Sequence, residues 1–371
     1  MPYAEDAFST LGETIALEGR SICAADVKDI DLLATRSTTN VNAQLLDGSK
    51  VRFVGTATIG TDHLDIDYLE KRGIHWCYSP GCNANSVSEY VTTALLCLAS
   101  RHKFSLHGKT MGIIGVGNVG RKVVEKAKAL GMKVLQNDPP RQRSEPDNEI
   151  FCNLDTLLAE SDIVTTHVPI TKEGQDKTLH LADASFFSCM KPGSIFINAA
   201  RGAVVKSDDL LAAIKSGHIA HTVLDTWEGE PAFRRDLLQA VDIGTPHIAG
   251  HSFEGKVAGT VMVYQDACRF LGIEPTWTPD ALLPPPLVPH VTITAGDKTD
   301  EKVLWEVVKR VYDIESDDAR LRAETDDRTA LFDNLRKNYP IRREFRFTSV
   351  TIKNTSTQLQ NTFERLGFRK G

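Results

Sequence analysis

The chain lacks paired cysteines, long apolar runs and an excess of positive charge. Its seven cysteines are scattered and never form a Cys-x-x-Cys pair, which favours reduced thiols over disulfides or zinc ligation. No apolar run reaches the roughly 18–20 residues that cross a bilayer. The first residues also lack the basic and apolar regions of a signal peptide. We therefore expect a soluble, cytoplasmic protein with no membrane partner.

The charge balance argues against a nucleic-acid partner. The net charge is −6 at pH 7 and the pI is about 6.0, so the chain has no overall basic footprint. One basic run near the C-terminus is interleaved with aromatic residues, and we interpret it as a solvated or dimer-interface face. Binding of a phosphate by one of its arginines stays open as the alternative. The basic residues of this run are Arg336, Lys337, Arg342, Arg343 and Arg346.

What the chain does have is core-forming material arranged in an α/β pattern. Its 371 residues are 41% hydrophobic, enough for two or three domains. Short apolar runs alternate with amphipathic segments, which predicts βαβ units and doubly wound parallel sheets. Residues 85–102 predict one long buried helix, and the proline-rich stretch 282–290 predicts a linker before a small C-terminal α/β segment. Strands are predicted at 30–35, 51–56, 74–79, 110–115, 133–137, 162–168, 194–199, 221–226, 241–245, 290–294 and 349–354, with later helices at 255–272, 300–314 and 356–368.

The stretch GVGNVG, residues 115–120, fits the glycine pattern of a dinucleotide-binding turn. An apolar strand precedes it and an amphipathic helix follows it, which is the context that the pattern requires. Gly115 permits the tight turn, Gly117 permits close approach of a pyrophosphate, and Gly120 permits close helix packing. Asp138 ends the next predicted strand, where a carboxylate can bind ribose hydroxyls and repel a 2′-phosphate. These residues predict binding of NAD rather than NADP.

Three polar residues follow successive strands of the same predicted sheet: Arg201, Glu230 and His247. Loops after parallel strands share one edge of a sheet, where ligands bind. An arginine can bind a carboxylate in a bidentate manner, and a histidine can accept a hydroxyl proton as hydride leaves. A glutamate beside the histidine stabilises the imidazolium. The set predicts oxidation of a 2-hydroxy acid, with the nicotinamide as hydride acceptor.

His247 and His251 are four residues apart, a spacing that also occurs in metal pairs. The proposed chemistry needs no metal, and the sequence offers no apparent third ligand. We therefore predict no metal site here and different roles for the two histidines.

At these residues the sequence resembles the D-isomer-specific 2-hydroxyacid dehydrogenase family. The matching stretches are GIIGVGNVG, INAARGAVV, LDTWEGEP and TPHIAG, in family order and at family-like spacing. Further stretches, among them SPGCNANSVSEYV and FDNLRKNYPIRREF, extend the resemblance over nearly the whole chain. They are similar to a branch of the family that acts on a phosphorylated sugar acid.

The resemblance implies a role for each matching residue. Arg201 and Glu230 are the implied active-site pair, and His247 is the implied proton donor or acceptor. Ser37, Thr58 and His251 are implied to bind substrate. The residues implied to line NAD, together with the three glycines, are Asn118, Val119, Asp138, Val168, Ala199, Ala200, Arg201, Asp225 and Gly250.

The resemblance also implies a domain organisation and a reaction. We expect a flavodoxin-like substrate domain at residues 1–90, completed by about 256–281. A Rossmann NAD domain is expected at 91–255, and a C-terminal domain that forms a homodimer at 282–371. The implied reaction oxidises 4-phospho-D-erythronate to its 2-oxo acid with NAD, in pyridoxal 5′-phosphate biosynthesis. The alternatives are a dehydrogenase of the 3-phosphoglycerate type and an NAD-sensing corepressor-like binding protein.

Two departures from the family pattern bear on these expectations. Relatives carry a short strand before the MPYA segment with which this sequence begins, so we hypothesise a start downstream of the natural one. Loss of that strand would expose hydrogen-bonding edges of the first sheet. The branch also usually has a tyrosine where this chain has His251, whose imidazole can donate to a phosphate oxygen as a phenol does.

Overall fold

The computed structural model describes residues 1–371 as two compact units. Unit 1 comprises Met1–Ala84 and Ser252–Pro285, and unit 2 comprises Asn85–His251 and Pro286–Gly371. All seven cysteines are free thiols. No helix has the length and apolar character needed to cross a membrane.

Helices and strands alternate along most of the chain. The strands are β1 Leu32–Thr35, β2 Phe53–Thr56, β3 His75–Tyr78, β4 Thr110–Ile114, β5 Lys133–Asn137, β6 Ile163–Thr166, β7 Ser194–Asn198, β8 Ile219–Leu224, β9 Ile243–Gly244, β10 His290–Thr294, β11 Ser349–Lys353 and β12 Arg369–Lys370. The helices are α1 Ala4–Phe8, α2 Ala24–Val27, α3 Ala43–Leu46, α4 Ile66–Lys71, α5 Ala84–His102, α6 Asn118–Ala129, α7 Pro139–Ser144, α8 Leu154–Glu160, α9 Ala184–Cys189, α10 Ser207–Lys215, α11 Arg235–Ala240, α12 Phe253–Leu271, α13 Asp300–Val311, α14 Ile314–Arg322, α15 Arg328–Lys337 and α16 Thr357–Arg365.

Unit 1 is built on a three-stranded parallel sheet in the order β1-β2-β3. Helix α12 packs on this sheet through Val263, Tyr264 and Ala267, which are fully buried with Phe53 of β2. The helix begins after Ser252, whose hydroxyl accepts from the N–H of Gly255. It ends at a glycine in the left-handed conformation. These start and stop signals explain why the predicted helix, 255–272, agrees with the observed one.

Unit 2 is built on a six-stranded parallel sheet in the order β5-β4-β6-β7-β8-β9. The chain moves outward in one direction from β4 to β5 and in the other from β6 to β9. This reversal places a switch point beside the carboxyl ends of β4 and β6, where parallel α/β sheets bind ligands. Central strands β6 and β7 are buried along their whole length, as expected for a parallel sheet with helices on both faces. The predicted parallel α/β class is confirmed.

The C-terminal segment forms a second three-stranded parallel sheet, in the order β10-β11-β12. The sequence did not predict α14, α15 or β12 in this segment, and the helix expected at 300–314 ends at Val311. Tyr312 is extended, and the side chain of Asp313 accepts from the N–H of Ser316 to start a separate helix, α14. Strand β9 is also shorter than the predicted 241–245.

Helix α14 attaches the C-terminal segment to the edge of the six-stranded sheet within unit 2. Arg322 donates to the carbonyls of Leu238 and Val241, at 2.6 and 2.9 Å. The carboxylate of Asp318 accepts from the N–H of Gly244 at 2.7 Å, so strand β9 is held from outside the sheet. The edge strand of the sheet is therefore covered rather than open.

Candidate active site

The glycine turn after β4 has the geometry of an anion-binding turn. Gly115 has φ of +85°, and a Cβ there would lie 2.7 Å from the carbonyl oxygen of His167. A Cβ on Gly120 would lie 2.0 Å from the carbonyl oxygen of Gly115. Helix α6 can therefore pack this close to the turn only because residue 120 has no side chain. Around Gly117 a Cβ would meet no atom within 4 Å. The first turn of α6 has no side-chain cap, which leaves its amides for a ligand phosphate.

Asp138 follows β5 and supports this turn directly. One carboxylate oxygen accepts from the backbone N–H of Val116 at 2.8 Å. Arg141 donates to the carbonyl of Val116 and pairs with Glu145, which follows α7, and Arg143 pairs with Asp176. Neither guanidinium is therefore the unpaired cation that would favour a 2′-phosphate, in agreement with the preference for NAD expected from the sequence.

The turn Ala199–Arg201 is shaped by the buried side chain of Asn198, the last residue of β7. Its side-chain oxygen accepts from the hydroxyl of Thr166 at 2.9 Å and from the backbone N–H of Ala200 at 3.0 Å. Its amide donates to the carbonyl of Arg201 at 3.0 Å. The Arg201 guanidinium donates to the backbone carbonyl of Ala200 at 2.9 Å. Arg201 thus lies at the carboxyl edge of the sheet on a tightly bonded turn.

The loop after β9 is organised by Asp225, which is 1% exposed at the end of β8. Its carboxylate accepts from the N–H groups of Ile248 and Ala249, at 2.7 and 2.9 Å, and from the hydroxyl of Thr245 at 2.6 Å. Burial raises the pKa of this carboxyl group above its ordinary value, against the opposing effects of the His247 charge and these donors. The sequence predicted Asp225 as an NAD contact; the structure shows both of its oxygens bound to the His247 loop.

The structure brings Glu230 and His247 into direct contact. Nδ1 of His247 hydrogen-bonds Oε1 of Glu230, and Oε2 of Glu230 accepts from the N–H of Trp227 at 3.0 Å. Burial by itself raises the pKa of Glu230. The charge of His247, its hydrogen bond, the Trp227 N–H and the charge of Arg336 together outweigh burial, and the pKa of Glu230 is lowered from its ordinary value. Because a carboxylate only accepts hydrogen bonds, Nδ1 carries a proton and Nε2 is the nitrogen left for substrate.

Several residues that position this pair were missed in the sequence. The hydroxyl of Tyr90, on α5, lies 2.8 Å from that of Thr245, and the indole N–H of Trp227 donates to the carbonyl of Thr245 at 2.8 Å. A Cβ on Gly202 would lie 2.0 Å from the carbonyl of Trp227, so the Arg201 turn and the Glu230 loop meet backbone to backbone. Only the stretch LDTWEG signalled part of this arrangement.

The basic run near the C-terminus also supports the loop. Arg342, which is 7% exposed, donates to the carbonyl of Ala249 at 2.6 Å and to the hydroxyl of Ser86 at 2.5 Å. Its guanidinium also lies 4.2 Å from the ring centre of Tyr312. This arginine is therefore buried rather than on the solvated face expected from the sequence. Both arginines keep one buried nitrogen without a hydrogen-bond partner, Nη1 in Arg342 and Nε in Arg336.

The remaining residues predicted to line the cofactor lie at the same carboxyl edge. Val168 follows β6, and its Cγ1 would lie 2.8 Å from a Cβ on Gly115. Gly250 lies in the loop held by Asp225. Two further residues predicted to line NAD, Asn118 and Val119, begin helix α6.

The predicted substrate residues are divided between the two units. In unit 1, Ser37 follows β1 and Thr58 follows β2, so both lie at the carboxyl edge of that sheet. The Thr58 hydroxyl donates to the carbonyl of Gly60 at 2.8 Å and lies 2.9 Å from that of Thr56. In unit 2, the ring of His251 meets Tyr339 edge-on at 5.7 Å.

Comparison with known proteins gives this site a family. Residues 96–249 match the model of the D-isomer specific 2-hydroxyacid dehydrogenase NAD binding domain, and residues 282–367 match a domain of unknown function (DUF3410). The chain is 49% identical to erythronate-4-phosphate dehydrogenase of Shigella flexneri serotype 5b and 48% identical to that of Escherichia coli O157:H7. Each match covers 93% of this chain and 90% of the relative.

Solved structures agree with this assignment. D-lactate dehydrogenase from Aquifex aeolicus, complexed with NAD and lactic acid, is 26% identical with a TM-score of 0.61, over 73% of this chain and 92% of that one. The chain belongs to the D-isomer-specific 2-hydroxyacid dehydrogenase family, and it is an NAD-dependent dehydrogenase.

Proposed function

We propose that the protein oxidises 4-phospho-D-erythronate at C2 to (R)-3-hydroxy-2-oxo-4-phosphooxybutanoate, in pyridoxal 5′-phosphate biosynthesis. The similarity to erythronate-4-phosphate dehydrogenases over 93% of the chain supports this substrate. The observation that carries the chemistry is the contact of His247 with Glu230 at the carboxyl edge of the NAD-binding sheet. That pair supplies a proton acceptor where a 2-hydroxy acid requires one.

In the proposed mechanism, His247 removes the proton of the C2 hydroxyl through Nε2. Its Nδ1–H stays bonded to Glu230, which is ionised at neutral pH and stabilises the imidazolium that forms. NAD, which the glycine turn and Asp138 would hold, would supply the acceptor for the hydride from C2, while His247 takes the proton. Return of the proton from His247 to solvent completes the oxidation.

Arg201 is proposed to bind the substrate carboxylate. A guanidinium offers two parallel N–H groups that match a carboxylate, and it attracts the developing charge on the oxygen at C2. The Asn198 bonds fix the backbone of the turn from which this side chain projects.

The residues of the glycine turn fit NAD. The open space at Gly117 and the uncapped amides of α6 suit its pyrophosphate. Asp138 is proposed to accept from the adenosine ribose while it also holds the N–H of Val116.

The phosphate of the substrate is proposed to contact His251, and Ser37 and Thr58 are proposed to bind substrate. A further candidate is Arg336, from the basic run. Its Nε lacks a hydrogen-bond partner, and its charge helps to lower the pKa of Glu230. A cation this close to the acid–base pair suits a dianionic substrate.

Replacing Glu230 with glutamine is expected to move the acidic limb of kcat/KM for oxidation to lower pH. Loss of the anion destabilises the imidazolium, so the histidine accepts a proton less readily; a shift of one pH unit corresponds to about 1.4 kcal/mol. The pKa of Glu230 is lowered from its ordinary value, so this carboxyl group is already ionised where the limb is measured. A pH profile of the variant and wild type measures the shift. An unchanged limb would show that the carboxylate does not act on His247.

Replacing His251 with alanine is expected to raise KM for the phosphorylated substrate about tenfold or more while kcat changes little. A hydrogen bond to a charged group contributes about 1.5–3 kcal/mol. Tyrosine at this position keeps a donor and is expected to retain most of the affinity. The KM for NAD serves as the control. A fall in kcat with KM unchanged would contradict the role in phosphate binding.

Substrate specificity tests the proposal. Steady-state kcat/KM is measured with 4-phospho-D-erythronate, 3-phosphoglycerate and D-lactate under NAD, with an oxo acid present to recycle the cofactor. We expect preference for 4-phospho-D-erythronate by about a hundredfold, a ratio that buried polar recognition can supply. Preference for 3-phosphoglycerate would assign the alternative substrate. NAD binding without turnover of any hydroxy acid would support the sensing role instead.

The proposal includes a cytoplasmic homodimer formed through residues 282–371. Sedimentation equilibrium of the wild-type protein tests the oligomeric state, and a monomer at assay concentrations would contradict it.

A further inference from the structure

A cluster of two histidines and one aspartate lies in unit 2, away from the catalytic residues. His102 is the last residue of α5, His221 lies in β8, and Asp242 immediately precedes β9. One carboxylate oxygen of Asp242 lies 3.2 Å from Nε2 of His102 and 3.0 Å from Nδ1 of His221. All three ligand atoms lie within 4.8 Å of one another. The cluster therefore concentrates three metal-ligand atoms at one point.

The position of the cluster separates it from the site described above. His221 and Asp242 lie toward the amino ends of β8 and β9, whereas Asp225 and His247 follow the carboxyl ends of the same strands. From His221 to Asp225 the strand extends about 13 Å, at about 3.3 Å per residue. The two sets of residues occupy opposite edges of the sheet, so the cluster has no direct part in hydride transfer.

We propose that His102, His221 and Asp242 bind a divalent transition-metal ion, with zinc as the best match. Zinc binds imidazole nitrogen at about 2.0–2.1 Å and carboxylate oxygen at about 2.0–2.2 Å, usually with four ligands in a tetrahedron. Ligand atoms in such a tetrahedron are about 3.3 Å apart. The observed separations from the aspartate oxygen, 3.0 and 3.2 Å, are close to that spacing. Water completes the fourth position, because the side chains of His102 and His221 are 31% and 21% exposed.

The groups around the cluster hold its ligands in place. The second carboxylate oxygen of Asp242 accepts from the N–H of Thr222 at 2.9 Å, which orients the first oxygen toward the imidazoles. The ring centres of His102 and His221 are 3.8 Å apart, and the ring of Phe104 lies nearly parallel to that of His221. The ligands therefore need only small movements to bind an ion.

The surrounding charge also permits a cation. The nearby guanidinium of Arg101 donates to the main-chain carbonyl of Asp242, and it pairs with Glu315 at 3.2 Å. The Asp242 carboxylate itself keeps one negative charge for the ion. A bound metal would fasten the end of α5 to the amino edge of β8 and β9. We assign the site a structural role.

Titration of the chelator-treated protein with Zn²⁺ by calorimetry tests the site. We expect one ion per chain, a rise in the melting temperature on addition of zinc, and loss of both effects in His221→Gln and Asp242→Asn. Loss of an outer-shell partner typically weakens metal binding about 10–100-fold, and removal of a ligand is expected to weaken it at least as much. His290→Gln is the matched control, since that exposed imidazole contacts only hydroxyl groups.

Cobalt substitution distinguishes this site from the seven free cysteines. A site of two imidazoles, one carboxylate and water is expected to give visible d–d bands without a thiolate charge-transfer band. Turnover of the His221→Gln variant with NAD is expected to stay unchanged, which also shows that it is folded. Equal zinc affinity in wild type and His221→Gln, or a thiolate band in the cobalt spectrum, would overturn the proposal.

Discussion

Replacement of His247 with glutamine is expected to lower kcat for oxidation about a thousandfold, within the range that general acid–base catalysis contributes. Glutamine keeps a donor for Glu230 but cannot accept a proton near neutral pH. The loop keeps its shape, because Asp225 holds it through the N–H groups of Ile248 and Ala249. NAD affinity, measured by fluorescence titration, is therefore expected to remain near the wild-type value while kcat falls.

A second histidine–glutamate pair in unit 2 provides a matched control. Nε2 of His180 lies 2.5 Å from Oε1 of Glu228, and both His180 and His247 have left-handed backbone conformations. His180→Gln is expected to leave kcat close to wild type. If the two variants lose activity equally, the loss reflects general disturbance and the acid–base assignment of His247 is wrong.

Replacement of Arg201 with methionine is expected to lower kcat/KM for the hydroxy acid by about two to three orders of magnitude. Loss of one partner of a desolvated charge pair costs about 2–5 kcal/mol, and each 1.4 kcal/mol is tenfold. Lysine keeps the charge but lacks the two parallel donors, so Arg201→Lys is expected to retain only a small part of the wild-type kcat/KM. Steady-state kinetics at saturating NAD measures both variants.

Arg234→Met is the control for the loss of a guanidinium. Arg234 is partly exposed and pairs with Asp208 and Asp236, outside the site. Its replacement is expected to leave kcat/KM unchanged. If Arg201→Met binds the substrate as tightly as wild type does, Arg201 is not the carboxylate ligand.

Local sequence signals account for much of the fold. The glycine turn was predictable because an apolar strand, three glycines and an amphipathic helix occur in direct succession. Gly115 and Gly120 each have a steric reason in the structure, whereas the space around Gly117 is open. The strand at residues 290–294 was also predicted at its observed bounds. The helix predicted at 300–314 ends early, at Val311, and α14 was not predicted, because its sequence IESDDARLR is mostly charged and only the capping Asp313 marks its start.

The site was only partly predictable for a different reason. Loops that follow parallel strands lie at one edge of the sheet. The shared position of Arg201, Glu230 and His247 could therefore be predicted from the order of strands along the chain. The support of Ala249 by Arg342 joins residues far apart in the chain, and no local pattern indicates it. The same holds for His102, His221 and Asp242, whose spacing in the sequence resembles no metal motif.

A single-turnover experiment with 4-phospho-D-erythronate deuterated at C2 tests the central claim most directly. The wild-type protein is mixed with NAD and this substrate, and the reduced cofactor and the oxo acid are analysed by mass. The account predicts one deuterium transferred to the nicotinamide for each molecule of 2-oxo acid formed, with the rate strongly reduced in His247→Gln. Formation of no deuterated cofactor while NAD binds normally would contradict it.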